Sequence, residues 1–84
     1  MSRISQEKKN KIKEMIISLL FSKYPYSLST TKIAKELARD EEFVKSILLE
    51  MEKEKFLKRK EYSRKVEWQL TEKVYETYKK LIKS

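Results

Sequence analysis

The apolar positions of this chain recur at helical spacing over most of its length and switch to strict alternation over one short stretch. Ile12, Ile16, Leu19 and Leu20 predict a first helix over about residues 5–23, with Lys8, Lys9, Lys11 and Lys13 spread over its first half. Ile17 and Phe21, four apart, form a second stripe on a different face, so another element or a second subunit must cover them. Tyr24-Pro25-Tyr26 ends the helix, because proline disfavours helical geometry in the residue before it and has no N–H to extend the ladder. The two tyrosines are expected to pack around that proline. A short extended link at Tyr26-Ser27-Leu28 leads to Ser29 or Thr30, either of which supplies the N-cap oxygen of a second helix over about residues 30–38. Ile33, Ala34 and Leu37 share one of its faces. Asp40 caps a third helix over about residues 41–54, with Glu41 and Glu42 in the first turn, where the helix dipole favours acids, and Val44, Ile47, Leu48 and Met51 as its buried stripe.

After Lys55 the period becomes two. Phe56 and Leu57 open a strand through Lys58, Arg59 and Lys60, and Val66, Trp68 and Leu70 alternate with Lys65, Glu67 and Gln69 in a second strand. Tyr62-Ser63-Arg64-Lys65 links them as a hairpin turn without glycine, and Trp68 on the inward face belongs to the core. Thr71 then precedes a last helix over about residues 72–82, as its N-cap, with Val74, Tyr75, Tyr78, Leu81 and Ile82 on its apolar arc. The predicted class is α+β, mainly α, in the order helix, short strand, helix, helix, strand, strand, helix. No segment repeats, and residues 1–84 read as a single domain.

Composition narrows the chemistry. At 84 residues there is room for one small core and none for a cleft between two domains. With no Cys and no His, the common zinc, haem-thiolate and iron–sulfur ligand sets cannot be built, nor a Ser-His or Cys-His nucleophile pair. The remaining carboxylates, lysines, tyrosines and hydroxyls show no acid–base spacing, so neither enzymatic activity nor a cofactor is expected. Met15-Ile16-Ile17 and Leu19-Leu20-Phe21 fall far short of the ~20 apolar residues that span a bilayer, and no small-residue cleavage pattern follows them. A cytoplasmic location is expected. Lys and Glu dominate while Gln and Asn are scarce, a balance found in proteins of hyperthermophiles.

Two short helices joined by a short turn and followed directly by a basic hairpin resemble the winged helix-turn-helix family. The resemblance runs from about Ser27 to Leu81, through IAKELARDEEFVKSILLEMEKEKFLKR and then VEWQLTEK. Ile33, Ala34 and Leu37 match the family's second helix, and Val44, Leu48 and Met51 match the core positions of its recognition helix. Phe56-Leu57 matches the start of the wing and Leu70-Thr71 the return into the C-terminal helix. The resemblance implies binding to double-stranded DNA, with the third helix in the major groove and the wing along the adjacent backbone or minor groove. It also implies a small transcriptional regulator of the archaeal, archaeal-virus or plasmid type. Terminal helices of such regulators often form a homodimer, which points to Ile17, Phe21, Tyr75, Tyr78 and Ile82 as the interface. Where the family commonly has glycine, in the helix–helix turn and after the recognition helix, this chain has Ala38 and Lys55. Left-handed backbone costs a non-glycine residue roughly 1–2 kcal/mol, so either Lys55 accepts that strain or the helix ends by another route.

The charges sort the candidate DNA contacts. The formal net charge is +8, yet Asp40 to Glu54 holds six acids against two bases, making the expected recognition helix acidic. Six basic residues stand among the eleven from Lys55 to Lys65, opposed by Glu61 alone. The wing set Lys58, Arg59, Lys60, Arg64 and Lys65, with Tyr62, suits phosphate contact or an arginine entering a narrow minor groove. The same charges also keep an exposed strand edge from pairing with another chain. On the second helix, Lys32, Lys35 and Arg39 either add backbone contacts or form a solvated face. Outward on the third helix lie Glu42, Ser46, Leu49 and Lys53, flanked by Lys45 and Glu50, while Glu41, Glu52 and Glu54 project sideways, where neighbouring lysines can pair with them. Lys45 and Ser46 suit base edges or phosphate, Leu49 a thymine methyl, and Glu42 a cytosine amine. The competing reading is a protein–protein interaction module docking a protein partner through the acidic third helix, with Leu49 and Phe43 exposed on it, unless Phe43 packs onto the second helix or the first strand. Attachment of the basic first helix to a membrane surface is disfavoured, because the core needs that helix's apolar arc.

Overall fold

The computed structural model describes residues 6–83, so Ser5, the expected first residue of the first helix, lies outside the described residues. Four helices and three strands follow one another as α1 (Gln6–Lys23), β1 (Leu28–Ser29), α2 (Thr30–Leu37), α3 (Glu41–Lys53), β2 (Leu57–Glu61), β3 (Val66–Leu70) and α4 (Glu72–Lys83). This is the mainly helical α+β order that the periodicity predicts.

The helix starts follow from side-chain chemistry. The Ser29 hydroxyl accepts the Lys32 N–H at 3.1 Å and the Asp40 carboxylate accepts the Phe43 N–H at 3.1 Å, so each satisfies a donor that the first turn leaves orphaned. Thr71 stands at the corresponding place before α4, its carbonyl accepting the Tyr75 N–H at 3.0 Å. Its hydroxyl, expected to cap α4, instead donates to the carbonyl of Lys55 at 3.2 Å. Thr71 therefore ties the end of α3 to the start of α4.

The ends of α2 and α3 are built alike. The Arg39 N–H donates to the Ala34 carbonyl and the Ala38 N–H to that of Lys35; the Phe56 N–H donates to the Met51 carbonyl and the Lys55 N–H to that of Glu52. Both are Schellman closures, which need a left-handed residue at the turn, and Ala38 (φ 54°) and Lys55 (φ 70°) adopt it. Lys55 thus accepts the strain; the helix does not end by another route.

The sheet is antiparallel in the order β1-β3-β2, with Leu28 opposite Trp68 and Leu57, Lys58, Arg59, Lys60 and Glu61 opposite Leu70, Gln69, Trp68, Glu67 and Val66. The hairpin closes by the Tyr62 N–H donating to the Lys65 carbonyl at 2.8 Å, and none of its residues has a positive φ. The core collects Ile12, Ile16 and Leu20 of α1, Ile33 and Ala34 of α2, Val44, Ile47, Leu48 and Met51 of α3, and Leu57, Trp68 and Leu70 of the hairpin. Each large side chain buried there contributes about 1.5–3 kcal/mol. Trp68 brings its indole N–H into this core and donates it to the Thr30 hydroxyl at 2.8 Å, leaving no buried side-chain polar atom unsatisfied among the described residues.

Of the second stripe of α1, Phe21 is covered from within the chain, while Ile17 is half-buried at the edge of an apolar groove. Phe21 stacks on Tyr75 at 5.0 Å between centroids and meets Tyr78 edge-on at 4.9 Å. Tyr24 stacks on Tyr75 at 3.9 Å. Tyr26 is exposed, so the expected packing on Pro25 does not hold for that tyrosine. Phe43, exposed in the protein-docking reading, packs half-buried against the core.

Candidate nucleic-acid interface

The third helix presents three longitudinal strips besides its buried one. At about 100° per residue, Glu50 and Glu54 share one flank, Glu41, Lys45 and Glu52 the other, and Glu42, Ser46, Leu49 and Lys53 the outward strip. On the first flank, Lys13 of α1 places its ammonium 3.4 Å from Glu50 and 3.2 Å from Glu54, and Lys9 lies 3.2 Å from the other Glu50 oxygen. The Lys9 hydrogen bond, reinforced by Lys13 against a partial desolvation, holds the Glu50 carboxyl below its ordinary range. On the second flank, Thr31 donates to Glu41 at 3.0 Å and Arg59 of the hairpin reaches Glu52 at 3.4 Å. Four of the acids that made this helix look repulsive to DNA therefore face partners on neighbouring elements. The outward strip carries one acid and one base and is neutral.

The hairpin divides its cations. Lys65 pairs with Glu67 at 2.9 Å and lies 5.6 Å from the Tyr62 ring, and Glu67 raises the lysine above its usual range. Glu67 in turn is held low first by the Ser27 hydroxyl that donates to it and then by Lys65. Lys58 and Lys60 stand opposite Gln69 and Glu67 on the outer sheet face, whereas Arg59 stands opposite buried Trp68 on the inner one. Among the described residues, Lys58, Lys60 and Arg64 make no ion pair.

One cleft joins these parts. Ser29, Thr30 and Thr31 at the start of α2, Glu41 and Lys45 on α3, and Arg64, Lys65 and Val66 at the hairpin turn line a half-polar hollow of about 190 Å³. Lys45 and Arg64 face the same solvent volume there, with Lys65 already paired to Glu67 and Glu41 accepting from Thr31, so the hollow keeps two cations for an anion.

Among solved structures, the apo form of a Lactococcus lactis ZitR variant is similar over 92% of this chain and 58% of its own, at 25% identity and a TM-score of 0.74. The chain has the winged helix-turn-helix fold. An F-to-L variant of Staphylococcus aureus MepR bound to an oligodeoxyribonucleotide is similar over 93% of this chain and 67% of its own, at 20% identity and a TM-score of 0.67. A protein of Archaeoglobus fulgidus is similar over 95% and 89%, at 19% identity and a TM-score of 0.65. The winged-helix chain thus spans about three-fifths of the length of the ZitR chain it resembles. No protein-family model matches it, and no curated protein is similar to it in sequence.

In winged-helix terms, the expected contacts divide in four, one group being Lys58, Lys60 and Tyr62, exposed on the hairpin. Lys45, Arg64 and Lys65 come together at the cleft. Lys32, Lys35 and Arg39 are exposed on or just after α2, and Ser46, Leu49 and Lys53 are exposed along α3, with the Ser46 hydroxyl donating to the Phe43 carbonyl at 2.7 Å. Arg59 is separated from the other wing cations by the pleat and faces α3. The sequence reading missed Thr31 at the cleft and Glu67 and Ser27 as partners at the wing; the lysine partner expected for the sideways acids of α3 is found at Glu54, while Glu52 takes an arginine. For Glu67 a signal was present, since hairpin register alone sets it opposite Lys60.

Proposed function

We propose that the chain binds double-stranded DNA as a small cytoplasmic transcriptional regulator. The observation that carries this reading is the cleft at which Lys45 and Arg64 meet the start of α2, between a helix and a wing placed as in a regulator whose solved structure holds an oligodeoxyribonucleotide. Phosphates enter beside Arg64 and the α2 start, Lys58 and Lys60 extend the positive wing, and the neutral outward strip of α3 reads the major groove modestly through Ser46 and Leu49. Affinity is then driven by the backbone. Retardation of a mixed-sequence duplex will weaken steeply between about 50 and 200 mM salt, and Arg64→Ala and Lys45→Ala will each lower the slope of log affinity against log salt by about one. No retardation at low salt would sink this reading. The acidic-docking alternative loses its warrant, because Glu41, Glu50, Glu52 and Glu54 already face partners within the chain.

The protein works as a homodimer in this reading. Phe21, Tyr75 and Tyr78 are largely taken up by their own aromatic cluster, which leaves Ile82, exposed at the end of α4, beside an apolar groove of about 360 Å³ lined by Ile17, Phe56, Val74, Tyr78 and Leu81.

A further inference from the structure

We infer that Arg59 is a positioning residue, holding the wing against α3 through Glu52, and makes no phosphate contact. This role rests on the DNA-binding reading above and names what orients its two halves. The pleat sets Arg59 on the inner face of the sheet, opposite Trp68, while Lys58 and Lys60 occupy the outer face. From there its Nε lies 3.4 Å from the Glu52 carboxylate on α3, and its Nη1 lies 3.4 Å from that of Glu61 at the end of its own strand. The planar guanidinium thus bridges recognition helix and wing, and with Nε and Nη1 both facing carboxylates its charge is largely balanced within the chain. On its other flank α3 is tied to α1 by Lys13 through Glu50 and Glu54. Glu52 with Arg59 is the matching tie on the wing side, and the two together set the angle at which helix and wing meet a duplex. A lysine at position 59 would keep the charge but lose the fork that spans two carboxylates.

The test is a double-mutant cycle of Arg59→Gln and Glu52→Gln, with Arg59→Lys beside it. Thermal unfolding is measured without DNA, and retardation of a mixed-sequence duplex is measured over a salt series well below each variant's Tm. Each single variant, and Arg59→Lys with them, is expected to bind about three- to fivefold more weakly, the double variant no more weakly than either, all with the wild-type salt slope. A slope lowered by about one in Arg59→Gln, with Arg59→Lys and Glu52→Gln binding normally, would make Arg59 a phosphate contact and overturn the inference. Lowered Tm with unchanged affinity would overturn it too, leaving the pair to stability alone. If the unfolding cycle shows coupling and wild type fails to bind at low salt, the DNA-binding reading itself has failed and the positioning role falls with it, while the ion pair stands.

Discussion

Trp68 and Thr30, 38 positions apart, share a buried hydrogen bond that neither residue type announces in a linear reading. Thr30→Val keeps the shape but strands the indole N–H in the core. It should lower unfolding free energy in urea by about 1–3 kcal/mol, whereas Thr30→Ser, which keeps the acceptor, should lose less. Lys55 poses the opposite case, a residue in a conformation that favours glycine. Relief of roughly 1–2 kcal/mol of left-handed strain exceeds the roughly 0.5–1 kcal/mol of added unfolded-chain entropy. Lys55→Gly should therefore stabilise the chain by up to ~1 kcal/mol, read as a higher urea midpoint at unchanged slope. The absence of glycine at Ala38 and Lys55 was visible in the composition. That both positions adopt left-handed backbone was not, because a cap's geometry depends on whether the following residue can return a hydrogen bond to the preceding turn.

At the scale of elements, the acids of α3 serve as connectors. Lys13 is almost wholly buried, and its ammonium is tolerated there because Glu50 and Glu54 both face it. Glu50 is held below its ordinary value of 4.5, so the unfolded chain binds this proton more tightly than the folded one. The stabilisation it supplies is complete above that value and is lost as pH falls through the lower, folded one. Urea stability measured between about pH 6 and pH 3 should therefore fall less steeply below pH 4.5 in Glu50→Gln than in wild type. The helices and hairpin themselves were legible, because a helix or strand with one buried face writes its own period into the chain. The pairing was less so: Lys13 meets Glu54 across 41 positions, and no local pattern specifies which lysine of α1 lies over which acid of α3.

Over the whole molecule, the +8 charge does not act as a uniform positive surface. Lys9, Lys13, Arg59 and Lys65 are paired inside the structure, and the field offered to a phosphate comes chiefly from Lys45, Lys58, Lys60, Arg64 and the exposed cations of α2 and the turn after it. The long-range apolar balance leads to the remaining expectation. If the α4 end and its groove join two copies, Ile82→Glu should shift sedimentation velocity from a concentration-dependent dimer to a monomer while leaving the circular dichroism spectrum unchanged. A wild-type chain that stays monomeric at high concentration would remove the dimer.

By itself the sequence determined the order of the elements, the cap at Asp40, the choice of Ser29 or Thr30 for α2, and nearly every core residue, since these depend on spacings of two to four residues. It also placed the positive charge in the wing. Only the tertiary structure decided which charges remain available. Ion pairing depends on distances through space, between elements as far apart in sequence as Lys13 and Glu54 or across the strand pleat, so Arg59 and Lys65 were indistinguishable from Arg64 until the pleat and the packing of α3 set each beside, or away from, a carboxylate.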